Sequence, residues 1–181
     1  MKADALRTVL TDGDLRLEPL SEAHREPLRA ACAADPEIWD IYPVSFYGQH
    51  FDATFDAQYL DPARYLSAVL IDDVVAGLTG FINMVPAHHV AEIGVTYLAP
   101  FVRGTGVNRR IKTLMIEHAF ACGVDRIELR VDVRNARSLA AVAKLGAIRE
   151  GVLRRDRICW TGHVRDTVVF SILRDEWPPL P

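Results

Sequence analysis

The chain has 181 residues, half of them apolar and a quarter charged, with a net charge of −3 and a pI near 6.1. That length suits one domain, 1–181, with a sizeable core. The mild acidity argues against nucleic acid or an anionic membrane as the main partner. No apolar run approaches the ~18 residues of a membrane-spanning helix, and residues 1–7 lack the apolar stretch of a signal peptide. Cys32, Cys122 and Cys159 show no C-x-x-C spacing. Neither a disulfide framework nor a metal site is expected, and the reducing cytoplasm is the expected compartment.

Residues 15–20 alternate apolar and polar and predict a strand closed by Pro19. Ser21, His24 and Glu26 open an Ala- and Leu-rich helix to about Ala34, with Pro36 just beyond. Trp39, Tyr42, Pro43, Phe46 and Tyr47 crowd residues 35–48, readable as a lid on the core or as the wall of an acceptor site. A second short helix is expected over 51–60, stopped near Pro62. Residues 65–71 and 74–84 read as two strands joined by Asp72-Asp73, a hairpin.

The next strand places Ala91, Ile93, Val95 and Tyr97 on one face and Glu92, Gly94 and Thr96 on the other, and Pro100 ends it. Val107, Ile111, Leu114, Met115, His118 and Cys122 fall at helical spacing, with Gly123 as the stop. Ile127, Leu129, Val131 and Val133 alternate with charged residues in a half-polar strand. Asn135 caps a short helix that stops at Gly146. Residues 147–153 and 166–173 are the last strands, with a polar turn at Thr161-Gly162 between them and Trp177-Pro-Pro closing the chain. This order predicts an α/β fold of the α+β type, with a mixed, mostly antiparallel sheet of about six to seven strands and about four helices.

The stretch from Glu92 to Ile116 runs strand, proline break, glycine turn, helix. A glycine turn entering a helix N-terminus is an anion site, because free backbone N–H groups and the positive end of the helix dipole meet there. Gly104-Thr-Gly-Val-Asn-Arg lacks the spacing and the Lys-Ser/Thr pair of a Walker A loop. Gly104 and Gly106 give G-x-G, but Arg109 stands where a dinucleotide fingerprint needs its third glycine. Arg109, Arg110 and Lys112 either reach a phosphate or form a solvated basic face.

Arg103-Gly-Thr-Gly-Val-Asn, within this strand order, resembles the pyrophosphate loop of the GNAT N-acetyltransferases, Arg/Gln-x-x-Gly-x-Gly/Ala. Downstream, Asn135-x-x-Ser138, then Lys144-Leu-Gly and Glu150-Gly, is similar to the RimJ/RimL branch, the ribosomal-protein N-terminal acetyltransferases, as is the ending over 166–177. Two positions depart from the pattern: Asn108, where Gly or Ala is usual, and Ala147, where Phe is usual.

The resemblance implies acetyl-CoA as co-substrate and a primary amine as acceptor, either a protein N-terminus or a small molecule. It implies direct attack in a ternary complex without an essential cysteine, and a homodimer. Arg103, Gly104, Thr105, Gly106, Val107 and Asn108 would present backbone amides to the pyrophosphate. Asn135 would contact the pantetheine arm, with Ser138 near the thioester sulfur as the acid. A backbone N–H near Tyr97 and Leu98 would polarise the thioester carbonyl. Glu92, on the polar side of the central strand, is the leading base, with Asp132, His88 and His89 as alternatives. A reading from another class is a non-catalytic acyl-CoA-binding module. An α-amine, with pKa ~7.7–8.0, is partly neutral at neutral pH, whereas lysine at ~10.4 costs about 4–5 kcal/mol to deprotonate. A site without a strong base therefore favours an α-amine or another low-pKa amine.

Overall fold

Local pairings build most of the sheet in the computed structural model, which describes residues 1–178. Five strands lie side by side and antiparallel: β1 (Leu10–Asp12), β2 (Leu15–Pro19), β3 (Tyr65–Ile71), β4 (Val74–Val85) and β5 (Val90–Leu98). β6 (Arg126–Asp132) joins β5 in parallel, after a crossover through α3 (Val107–Ala121). The hairpin of β7 (Ile148–Ile158) and β8 (Val164–Leu173) completes the order β1-β2-β3-β4-β5-β6-β8-β7. The eighth strand is β1, whose three residues are too few to show an alternation in sequence. The Trp177-Pro-Pro ending reaches position 179, outside the described residues.

Helices cover both faces. α1 (Arg25–Ala33) and α2 (Phe51–Tyr59) pack Leu28, Cys32, Phe51 and Phe55 with Trp39 and Phe46 onto Leu66, Ala68, Leu70 and Leu78 of the sheet. On the other face α3 sets Val107, Ile111, Met115, Ile116 and Ala119 against Leu15, Leu17, Ala76, Phe81, Ala91 and Ile93. α4 (Ala136–Lys144) adds Val142 to that layer. Each large aliphatic or aromatic side chain so buried contributes about 1.5–3 kcal/mol.

The β3–β4 hairpin turns on Asp72 and Asp73 at φ +47 and +64, the left-handed pair whose twist matches flanking strands. Among the described residues no helix is long and apolar enough to cross a membrane.

One expectation fails in an informative way. Ala91 and Ile93 do face α3, but Val95 and Tyr97 pack on the α1/α2 side. On β4, Leu78 faces Tyr97 and Gly80 faces Gly94, so β5 carries one extra residue between these pairs. That residue count is a β-bulge, and Val95 at φ +52 lies within it. Because side chains alternate with period two, one inserted residue exchanges the faces of everything beyond it. Thr96 therefore points toward α3, and Tyr97 into the opposite core.

Candidate active site

β5 and β6 pair only at Val90–Arg126, Ala91–Ile127 and Glu92–Glu128. Beyond Glu92 the two strands part, although β8 stays paired with the other edge of β6 as far as Asp132. A gap thus opens in the middle of the sheet, edged by unpaired backbone of β5 that includes the bulge, Tyr97 and Leu98. Such an edge can hydrogen-bond an extended ligand as a strand would.

The end of β5 leads through Pro100–Val102, a single 3-10 turn, to the glycine turn and α3. Gly104 and Gly106 hold φ +80 and +90, conformations that L side chains adopt only with strain. Among the described residues no backbone carbonyl accepts from the N–H groups of Gly104, Thr105 or Gly106. Val107 and Asn108 open the helix, so their N–H groups have no intrahelical partner either. Five consecutive donors therefore converge at the positive end of a 15-residue helix. Asn108 contributes its backbone as Gly or Ala would.

Arg103 departs from its expected part in this cradle. Its N–H is taken by the Pro100 carbonyl at 3.1 Å. Its guanidinium turns inward, donating Nε to the Leu98 carbonyl at 2.7 Å and pairing with Asp35. Arg103 braces the turn against the segment after α1, and the donor set begins at Gly104. Arg110 is likewise committed, to Asp12 at 2.7 Å and Asp14 at 2.8 Å in the β1–β2 turn.

Asn135 sits at the N-cap of α4, on the far side of the gap, where its Oδ1 accepts the Ser138 N–H at 2.9 Å. Both side chains remain part-exposed, and among the described residues the Ser138 hydroxyl makes no hydrogen bond.

Glu92 is the last β5 residue paired with β6 and is 5% exposed. It accepts from Asn83 Nδ2 at 2.7 Å and lies 3.4 Å from the Arg130 guanidinium. Asp132, at the end of β6, is gripped by Arg134 at 2.8 and 3.0 Å. Burial pushes the Asp132 carboxyl up, yet the Arg134 hydrogen bonds outweigh this and leave it below the usual range. His88 and His89 are exposed in the β4–β5 connection, with His89 held by Asp125 at 2.7 Å.

The aromatic segment belongs to both of its expected descriptions. Trp39 and Phe46 are buried in the α1/α2 core, and Trp39 stacks on Tyr97 at 4.6 Å. Tyr42 instead reaches the open edge of β5 and donates its hydroxyl to the Thr96 carbonyl at 2.9 Å. Burial pushes that phenol up to about 12, so it stays a donor at any working pH. The β7–β8 tip closes over this segment, with Trp160 donating Nε1 to the Trp39 carbonyl and its N–H to the Pro43 carbonyl. The gap is thus walled on the α1/α2 side by Tyr42 and the hairpin tip, and on the other side by α3 and α4.

Lys112 is the residue that the sequence reading placed least well. It is 5% exposed on the inner face of α3. The helical period holds the clue, since Met115, Ile116 and Ala119 follow it at three, four and seven residues and all are buried.

A row of free donors at a helix N-terminus beside a parted pair of central strands suits a phosphate-bearing acyl donor such as an acyl-CoA. The comparisons agree. The family model described as an acetyltransferase (GNAT) domain matches residues 14–148. A solved structure described as a probable acetyltransferase of the GNAT family, from Chromobacterium violaceum ATCC 12472, is 30% identical, with 94% of this chain and 93% of that one covered and a TM-score of 0.87. A GCN5-related N-acetyltransferase from Brucella melitensis is 26% identical, covers 95% and 81% of the two chains, and has a TM-score of 0.88. RimJ of Mycobacterium smegmatis, solved with CoA-disulfide, shares the fold at 21% identity, 91% and 84% coverage and TM-score 0.78. No curated protein matches the chain. The chain belongs to the GNAT acetyltransferase family and is an acetyl-CoA-dependent N-acetyltransferase.

Proposed function

We propose that residues 1–181 form one acetyltransferase domain of the RimJ/RimL branch that acetylates a primary amine of low pKa, a peptide α-amine or a comparable small molecule. The amine attacks the thioester directly in a ternary complex. The pyrophosphate lies on the N–H groups of Gly104, Thr105, Gly106, Val107 and Asn108. Pantetheine passes Asn135 into the gap, and β5 backbone near Tyr97 and Leu98 holds the thioester carbonyl. Glu92 receives the amine from the α1/α2 side, and Ser138 donates to the departing thiolate.

The observation that carries the acceptor class is the state of the carboxylates beside the gap. Glu92 already accepts from Asn83 and faces Arg130, and Asp132 is held by Arg134. Neither stands free to strip a proton from a lysine ammonium, a step of about 4–5 kcal/mol at neutral pH. A thiol-release assay with acetyl-CoA against an amine panel tests this. Peptides with a free N-terminus should turn over with kcat/KM about 100-fold above N-terminally blocked, lysine-bearing ones at pH 7. Equal or better use of the lysine peptides would overturn the assignment.

Ser138→Ala removes a proton donor to a leaving group whose conjugate acid resembles a cysteine thiol, near ~8.5, so only modest help is lost. A fall in kcat of about 10- to 100-fold with unchanged CoA affinity is expected. Calorimetry with CoA and steady-state kinetics separate the two parameters, and an unchanged kcat removes Ser138 from the chemistry.

A further inference from the structure

The buried amine of Lys112 has no part in the scheme above. Its Nζ donates to Thr96 Oγ1 at 2.6 Å. Thr96 Oγ1 lies 2.8 Å from Thr79 Oγ1 of β4, whose hydroxyl donates in turn to Met115 Sδ at 3.5 Å. Either threonine can donate between the two, and the Thr96 hydroxyl also lies 3.4 Å from the Gly94 carbonyl, so Lys112 is the donor that fixes where the Thr96 oxygen sits. Thr96 is pinned from the other side too, since its carbonyl accepts from Tyr42. Next to it in the bulge is Val95 at φ +52, a backbone conformation that a β-branched residue keeps only when its surroundings impose it.

A lysine is an unexpected means of filling this space. Among the described residues no carboxylate pairs with it, and burial lowers its affinity for a proton. A leucine or methionine would pack the same layer without that desolvation. What lysine adds is one donor, delivered from the helix that begins at the phosphate cradle to the strand that borders the thioester gap.

We propose that Lys112 is a positioning residue for acyl transfer, holding the Thr96 hydroxyl and thereby locking the Val95–Thr96 bulge in register with the cofactor helix. This rests on the reading of the β5–β6 gap as the thioester slot. Lys112 links the two places where acetyl-CoA is held, the pyrophosphate end through the start of α3 and the acyl end through the β5 edge. Without it, CoA still binds on the cradle, but the strand edge loses its fixed distance from the thioester, and misplacement there is felt in the rate rather than the affinity.

Lys112→Met, of similar length and apolar, and Thr96→Val, of the same shape, break the contact from either side. With the intact protein, CoA affinity, kcat, KM for acetyl-CoA and melting temperature are measured for each variant and for the pair combined. At pH 7, Lys112→Met should melt no lower than wild type, bind CoA within about threefold, and lose about 10- to 100-fold in kcat. Thr96→Val should show the same split. The double variant should be no slower than the worse single, as expected of residues acting as one unit. A Lys112→Met enzyme with kcat within twofold of wild type overturns the proposal, as does one whose loss appears as weaker CoA binding. Wild-type protein that binds no CoA overturns the slot reading as well, an outcome distinct from full binding with full activity in the variant.

Discussion

Replacing Gly106 by aspartate should lower CoA affinity by about 100-fold or more, which is about 2.7 kcal/mol, with the fold retained. Gly106 is the N-cap of α3 at φ +90, ψ −11. A side chain in left-handed backbone costs about 1–2 kcal/mol, but aspartate tolerates it better than most and is a favoured N-cap residue, which offsets part of the strain. Space is no obstacle, since a Cβ at this position meets no protein atom within 4 Å. What changes is the cradle. A carboxylate there occupies the helix N-terminus itself, accepts from the N–H groups meant for phosphate, and repels the pyrophosphate. Each charge-assisted hydrogen bond lost is worth about 1.5–3 kcal/mol, so two suffice for the predicted effect. Calorimetric titration with CoA reads the affinity, and a thermal melt checks the fold. Gly106→Ala should fall between, carrying the strain without the charge. If the aspartate variant binds CoA within threefold of wild type, the pyrophosphate lies elsewhere.

The parts of this site that were legible in sequence are those fixed by local backbone chemistry. Gly104 and Gly106 announce left-handed backbone before a helical period, Asn135 announces a cap, and Asp72-Asp73 announces a tight hairpin. All three take the expected conformations. What was hidden depends on residues far apart in the chain or on an irregularity without a marker. Arg103 reads as offering its backbone amide to phosphate, but that N–H goes to the Pro100 carbonyl, and its guanidinium goes to Asp35, 68 residues away. The bulge at Val95 is invisible because the apolar alternation Ala91, Ile93, Val95, Tyr97 continues through it, while the face exchanges beneath it. No Gly or Asn stands at Val95 to signal positive φ. Lys112 reads as one of a basic run with Arg109 and Arg110. Only the helical period separates the buried member from the exposed ones. These two concealed residues meet at Thr96, so the least legible stretch of the chain is the bulge on the open edge of β5.

The other large effect concerns stability and carries a definite dependence on pH. Burial lowers the Lys112 amine from 10.5 to about 7 in the folded protein. Between those values the unfolded chain holds a proton on this amine that the folded chain does not, so unfolding takes up a proton and stability rises with pH. Below about pH 7 the amine is charged in both states and the full penalty is in place; above about 10.5 it is neutral in both and the penalty vanishes. The shift corresponds to at most about 4–5 kcal/mol. Lys112→Met should remove it, less about 1 kcal/mol for the hydrogen bond lost at Thr96. The variant is therefore expected to be about 2–4 kcal/mol more stable than wild type at pH 6, which is a rise of several degrees in Tm. The gap should narrow steadily toward pH 10, where the lost hydrogen bond leaves the variant level with wild type or slightly below it. Denaturant melts of both proteins at pH 6, 8 and 10 give the comparison directly. A stability difference that does not change with pH would mean that the amine keeps its proton on folding, and that its contact with Thr96 is made by an ammonium. A pH-dependent gain in stability that accompanies a loss in kcat would identify Lys112 as a residue kept at the cost of the fold for its effect on the rate of acyl transfer.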